Sequence, residues 1–114
     1  MLGASLNPER YSFKALQKLT ENKILTRAFG LKNGVVFGVT IDSEKKSYKE
    51  IDTVTLYLNP KRQKEYYEYI VSLKPKRVIF NPGTENVEFV KLLKSHHINS
   101  EEACTLVLLA TNQY

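Results

Sequence analysis

Residues 1–12 read MLGASLNPERYS, and the fold follows from how this stretch is parsed. Met1 and Leu2 are a fragment of apolar strand, Gly3-Ala4-Ser5 are small, Asn7-Pro8 marks a turn, and Arg10-Tyr11-Ser12 leads into helical spacing. Small residues between a strand and a helix let the backbone come close to a ligand. The N–H groups freed at the helix start, and the helix dipole, then favour an anion at that point. Arg10 and Lys14 bring mobile positive charge to the same opening. The stretch reads as a diphosphate-binding turn opening a nucleotide-binding fold. The same spacing also fits a plain strand-to-helix connection with Ser12 as N-cap.

Downstream, Ser12–Asn22 sets Ala15, Leu16 and Leu19 on one helical face, and Ile24–Phe29 reads as a short strand closed by Gly30. Leu31–Gly34 is a loop with a turn signal at Asn33-Gly34. Val35–Ile41 is β-branched but interrupted by Gly38, which leaves a strand near Val39–Ile41; Asp42–Glu50 is polar. Asp52–Leu58 (DTVTLYL) is a strand, ended by Asn59-Pro60. Lys61–Leu73 follows as a helix with Tyr66, Tyr69, Ile70 and Leu73 as its core stripe. Lys76–Phe80 is a strand, Asn81–Thr84 a turn, and Glu85–Ser95 a helix with Phe89, Val90 and Leu93 inward. Glu85 and Glu88 suit the dipole of its first turns. Ile98–Ala103 is a last strand, and the apolar Cys104–Ala110 is strand or buried helix, which periodicity does not decide.

Strands alternating with helices, and apolar runs in the later strands, predict an α/β protein: a three-layer, Rossmann-like, doubly wound parallel sheet. Right-handed crossovers give strand order 3-2-1-4-5 with a sixth strand at the edge, all within one domain of residues 1–114. Ligands of such sheets bind beyond the carboxyl ends of the strands. The turn at 3–12, the loop at 30–34 and the loop at 58–60 are therefore expected to share a crevice, with residues 81–85 at its margin.

Composition limits the partners. The chain has 114 residues, 42% hydrophobic and 25% charged, as in an ordinary soluble domain. A net charge of +5 favours anionic ligands. The bases are scattered among acids, so no nucleic-acid groove is expected. The single Cys104 excludes an internal disulfide and suits a reducing compartment. With no membrane-span pattern and no signal-peptide pattern, a cytoplasmic protein is expected.

The crevice does not fit NAD, whose fingerprint needs three glycines in the first turn and an acid after the second strand. Here Gly3 is the first turn's sole glycine, and Lys32 stands where the acid belongs. A lysine there attracts a ribose phosphate, which points to NADP or coenzyme A. The stretches GASLNPERYS (Gly3–Ser12), DTVTLYLNP (Asp52–Pro60), KRVIFNPGTEN (Lys76–Asn86) and EACTLVLL (Glu102–Leu109) resemble the small single-domain CoA-binding proteins. These are stand-alone relatives of the nucleotide-binding domain of the succinyl-CoA synthetase α subunit. The resemblance implies that Gly3, Ala4 and Ser5 meet the CoA diphosphate, with Asn7, Arg10 and Ser12 beside them. It implies that Lys32 faces the phosphorylated end, that Phe29 flanks the adenine, and that Tyr57, Leu58 and Asn59 border the nucleotide and pantetheine arm. Asn81, Pro82 and Gly83 match the loop further along the arm. Two departures stand out. Only Met1 and Leu2 precede Gly3, so a shortened first strand is expected, and Phe13 replaces a smaller polar residue, either narrowing the pocket mouth or packing on the helix.

Catalytic machinery is not visible. His96 and His97 sit at the end of a helix with no third metal ligand at useful spacing, and Cys104 lies in an apolar run. There is no Ser/His/Asp set and no glycine-rich ATP loop. The reading is non-catalytic binding of coenzyme A or an acyl-CoA, with a protein partner left open and no metal. The alternatives are an NADP-binding oxidoreductase or redox sensor, and an interaction protein that has lost its ligand.

Overall fold

In the computed structural model, which describes residues 1–114, the chain runs β1 (Leu2–Ala4), α1 (Tyr11–Glu21), β2 (Ala28–Gly30), β3 (Gly34–Val36), β4 (Val39–Asp42) and β5 (Thr53–Leu56). It continues through α2 (Pro60–Gln63), a 3-10 turn (Lys64–Tyr66), α3 (Tyr67–Ser72), β6 (Arg77–Phe80), α4 (Val87–Ser95), β7 (Asn99–Glu102) and α5 (Thr105–Ala110). This is a mixed α/β fold with mostly parallel strands, as the alternating pattern requires. The chain divides into two compact units, Met1–Lys46 with Thr105–Tyr114, and Ser47–Cys104.

In the first unit the strand order is β3-β4-β2-β1. β1 is only three residues long, the shortened strand expected from the sequence, and it pairs in parallel with β2 through Leu2↔Phe29 and Ala4↔Gly30. Pairing extends before the strands, since the Met1 nitrogen donates to the Arg27 carbonyl (2.8 Å) and the Phe29 amide to the Met1 carbonyl (2.9 Å). β2 begins at Ala28 and not at Ile24, because the chain first completes the C-terminal cap of α1 and leaves Leu25 86% exposed. In that cap Lys23 takes the left-handed conformation (φ 57°), the Lys23 amide donates to the Thr20 carbonyl, and the Ile24 amide to the Leu19 carbonyl (both 3.0 Å). This is a Schellman termination with lysine in the position that glycine prefers.

β3 is an addition that the sequence reading lacks. It pairs antiparallel with β4 through Gly34↔Ile41, Val35↔Thr40 and Val36↔Val39. The two turn residues, Phe37 (φ 50°) and Gly38 (φ 77°), are both left-handed, the backbone of a tight hairpin that follows the twist of its strands. Gly38 thus turns the chain between two strands where the sequence reading has it interrupt one. β4 pairs in parallel with β2, which preserves the expected order for the third, second and first parallel strands. α1 buries Ser12, Ala15, Leu16 and Leu19.

In the second unit the order is β5-β6-β7, parallel throughout, with Thr53↔Arg77 to Leu56↔Phe80 and Arg77↔Asn99 to Phe80↔Glu102 in register. Val78, Ile79 and Phe80 are consecutive and all buried. Neighbouring side chains in a strand point to opposite faces, so β6 is covered on both. The expected helix over residues 61–73 is interrupted. Tyr66 adopts φ −110° and ψ 0°, so α2 ends in the 3-10 turn before α3 begins, although Tyr66 and Ile70 are still buried. α4 starts at Val87, with the Asn86 side chain accepting from the Phe89 amide (3.1 Å). Glu85 therefore lies before the helix, and its carboxylate accepts from the Gly83 amide instead (2.8 Å). At the other end His97 (φ 60°) occupies the left-handed cap position, and the amides of His97 and Ile98 close on Lys94 and Leu93. Residues 105–110 settle as the helix α5 in the first unit, with Thr105 and Leu109 one turn apart and buried. No helix is long and apolar enough to cross a membrane.

Two substitutions test these backbone assignments by chemical denaturation. Lys23→Gly, which relieves a left-handed side chain, should raise stability by about 0.5–1 kcal/mol, net of the added freedom of the unfolded chain. Gly30→Ala should lower it by about 2 kcal/mol, because the new methyl meets the Ala4 carbonyl oxygen inside contact distance and the Ile41 side chain at 3.1 Å.

Candidate functional site

In the first unit, the carboxyl ends of β1 and β2 carry the residues expected at the nucleotide. Gly3 has φ 95°, a conformation that strongly favours glycine, and it sits where the β1–β2 register shifts. Beyond Ala4 the chain folds on its own side chains. The Ser5 hydroxyl accepts from the Asn7 amide (3.0 Å), the Asn7 carboxamide oxygen accepts from the Glu9 amide (3.0 Å), and the Arg10 amide donates to the Asn7 carbonyl (3.1 Å). These short-range bonds finish the turn early, so the helix begins at Tyr11.

Arg10 is consequently the N-cap, with extended backbone (φ −77°, ψ 142°), and no side chain caps the helix. Ser12 is not the N-cap that the plain-connection reading assigns; it lies inside the first turn and is buried. The Arg10 carbonyl accepts from the Phe13 and Lys14 amides (3.1 and 3.3 Å), leaving the amides of Tyr11 and Ser12 without a helical partner. No acidic residue stands in the first turn. The first turn thus offers no carboxylate of its own to the positive end of the dipole; the exposed Arg10 and Lys14 lie beside it, Glu9 stands just before the N-cap, and the Lys14 ammonium lies 5.4 Å from the centre of the Tyr11 ring.

The loop after β2 holds Lys32 exposed at its tip. Asn33 anchors the loop by accepting the Ser43 amide (2.9 Å). Phe29 is buried (6% exposed) in β2. Phe13 takes neither of the two roles expected of it, the pocket mouth or the helix. It meets Phe37 of the hairpin tip edge-on at 5.0 Å between ring centres, so it packs against this unit's own hairpin.

In the second unit, the carboxyl ends of β5 and β6 lie side by side. After β5 come Tyr57, half-buried, Leu58, buried, and Asn59, exposed, whose side chain caps α2 by accepting from the Arg62 amide (3.0 Å). After β6, Asn81 is buried and its amide donates to the Thr55 hydroxyl (2.7 Å) and the Leu56 carbonyl (2.9 Å). Its donors are thus engaged within the unit. Pro82 and Gly83 are exposed, and Gly83 has φ 90°.

Between these two loops lies a residue that the sequence reading did not single out. Gln63 is fully buried, and its amide nitrogen donates to the Leu58 and Thr84 carbonyls (2.8 Å each). Its oxygen accepts from the Asn86 amide nitrogen (2.9 Å), which also donates to the Tyr67 hydroxyl (2.7 Å). The Thr84 hydroxyl closes the loop on the Asn81 carbonyl (2.7 Å), and the Tyr67 ring stacks on Phe89 at 4.3 Å. Burial, with Glu65 beside it, pushes the Tyr66 phenol above its ordinary range and keeps it neutral. A glutamine on a lysine-rich helix start reads as surface, and the only sequence signal was its i, i+3 spacing from Tyr66.

A model of the CoA-binding domain matches residues 1–110. The chain belongs to the CoA-binding domain family. Its fold recurs in a crystal structure of an uncharacterized protein, at TM-score 0.96 and 44% identity over 99% of this chain and 93% of that one. A Thermus thermophilus protein shares the fold at TM-score 0.87 and 21% identity, over 99% and 87% of the two chains. A hypothetical protein from Pyrococcus horikoshii does so at TM-score 0.84 and 25% identity, over 93% and 76%. No curated protein matches the chain.

Gln63→Met keeps the volume of the side chain but strips three buried hydrogen bonds. In urea titrations it should lower the unfolding free energy by about 3 kcal/mol, since a buried group left without its partner costs roughly 1 kcal/mol or more.

Proposed function

We propose that this CoA-binding domain holds coenzyme A, or an acyl-CoA, through its phosphorylated ADP moiety, and that it is a binding module of the cytoplasm with no chemistry of its own. Residues 1–114 act as one such domain. The observation that carries this reading is the family match over residues 1–110. The uncapped, acid-free start of α1 supports it from physical chemistry, because a diphosphate supplies the acceptors that the Tyr11 and Ser12 amides lack.

In this proposal the backbone of Gly3, Ala4 and Ser5 lies against the diphosphate, with Asn7, Arg10 and Ser12 around it. The Asn7 and Ser5 side chains work by shaping the turn, whereas Arg10 contributes charge directly. Lys32 pairs with the 3′-phosphate, and its exposure on a loop anchored by Asn33 suits a dianion arriving from solvent. Phe29 offers the adenine little more than an edge, given its burial. Tyr57, Leu58 and Asn59, then Asn81, Pro82 and Gly83, border the pantetheine arm, Asn81 through its backbone.

A thermal-shift panel of CoA, 3′-dephospho-CoA, NADP and NAD tests the reading. A ligand held only by the folded state at a hundred times its Kd stabilises by about 2.7 kcal/mol. CoA should give the largest shift and 3′-dephospho-CoA a smaller one. Lys32→Ala should erase that difference, and Arg10→Ala should weaken both. An NADP shift equal to or above that of CoA, or no shift with any of the four, contradicts the assignment.

A further inference from the structure

The sheet of the first unit ends at β3, and no strand of the chain pairs with that strand's outer side. Its hairpin decides which backbone groups face outward. The two-residue turn Phe37-Gly38 makes Val36 and Val39 the pair that closes it by hydrogen bonds. Hydrogen-bonded and non-hydrogen-bonded pairs alternate along an antiparallel ladder. The next pair, Val35 with Thr40, therefore turns its N–H and C=O groups away from each other. Val35 thus presents one donor and one acceptor to the open edge, and it is 66% exposed. Monomeric proteins guard such edges with charge, proline, bulges or brevity. The strand β7 carries Glu101 and Glu102. β3, Gly34-Val35-Val36, is short but has neither charge nor proline. Exposed apolar side chains gather about it. Phe37 (44% exposed) stands in the turn, and Leu6 (42% exposed) lies over Gly34, where a Cβ would meet a Leu6 methyl at 2.6 Å.

We propose that β3 is the contact through which two copies of this chain associate, pairing antiparallel across a twofold axis at Val35. A twofold contact needs a surface complementary to itself. Val35 supplies one: its N–H donates to the Val35 carbonyl of the second copy, and its own carbonyl accepts from the second copy's N–H. The same register sets Gly34 opposite Val36 of the second copy. Leu6 of each copy is then brought toward the exposed Phe37 of the other, and on the opposite sheet face the two Val35 side chains lie side by side. Lys32 falls opposite Gly38, so no like charges face one another in this register. A foreign peptide could take the Val35 hydrogen bonds, but the covering of Leu6 by Phe37 is reciprocal only between copies. So small a contact belongs to the class of interfaces below about 1,200 Å², and association through it is weak and concentration-dependent. The contact does not depend on the CoA reading.

Sedimentation equilibrium of the full chain without ligand, from about 5 μM to about 500 μM, tests this against two variants. The parent protein should rise with concentration from a mass of 13.1 kDa to twice that figure. Val35→Pro removes the outward N–H, and proline is tolerated on the open side of an edge strand, so the variant should fold and stay at 13.1 kDa throughout. Val35→Lys keeps the backbone groups but sets two like charges side by side at the axis. It should weaken association about tenfold at low salt, and by less at high salt. Circular dichroism reports whether each variant is folded; if Val35→Pro is not, Val35→Lys decides the matter. A parent protein that stays at the monomer mass overturns the proposal. Unchanged association in a folded variant overturns it too, because the copies then meet elsewhere. Masses that keep growing past the dimer mean open-ended pairing of β3 with a different edge, and they overturn the twofold contact.

Discussion

The first turn of α1 is the constraint on which the functional account depends. A helix start normally engages a side-chain acceptor, as α4 does with Asn86 and α2 with Asn59. At Arg10 the chain places instead a long cation with extended backbone and no capping bond. The Ser5 and Asn7 side chains, which could cap, are engaged one turn earlier in shaping residues 5–10. The turn therefore stays ordered while the helix amides stay open. A cap at this position would be worth about 1 kcal/mol of stability. Its absence, together with an acid-free first turn, is what an anion site requires.

The strand geometry delivers that turn to its place. β1 is short, but it ends against Gly30, where the lack of a Cβ lets the Ala4 carbonyl approach the neighbouring strand. The same economy of space recurs at Gly34, whose absent side chain leaves room for Leu6. In the second unit the corresponding strand ends are governed by hydrogen bonding. Buried amides and hydroxyls there are paired with loop carbonyls, and rigidity comes from a network in which Gln63 is the central member. Networks of this kind are costly when broken and specify a single arrangement when complete.

How much of this the sequence disclosed follows from the range of the interactions. The parallel alternation, the shortened first strand and the buried run Val78–Phe80 were legible, because they arise from patterns within a few residues. The hairpin at 34–42 was not, since Phe37 is an unusual occupant of a left-handed turn position and Gly38 looked like a flaw in one strand. The break within residues 61–73 was hidden by a helical stripe that survives it. Gln63 was invisible because its partners lie 21 and 23 positions away at Thr84 and Asn86. The helix at 105–110 required tertiary context to be told from a strand. Gly3, Arg10 and Lys32 are singled out by chemistry and resemblance together, and their part in binding belongs to the proposal. The roles of Asn7, Asn59 and Asn81 in fixing their own loops emerged only from the hydrogen bonds.

In the proposed complex, open amides at the start of α1 receive a diphosphate. A titration of 15N-labelled protein with CoA, followed residue by residue in 1H–15N correlation spectra, tests it most directly. Binding there should give large downfield amide-proton shifts at Tyr11 and Ser12, with neighbouring changes through Gly3–Ser5 and at Lys32. Saturating CoA that leaves Tyr11 and Ser12 unmoved while shifting other amides would contradict it.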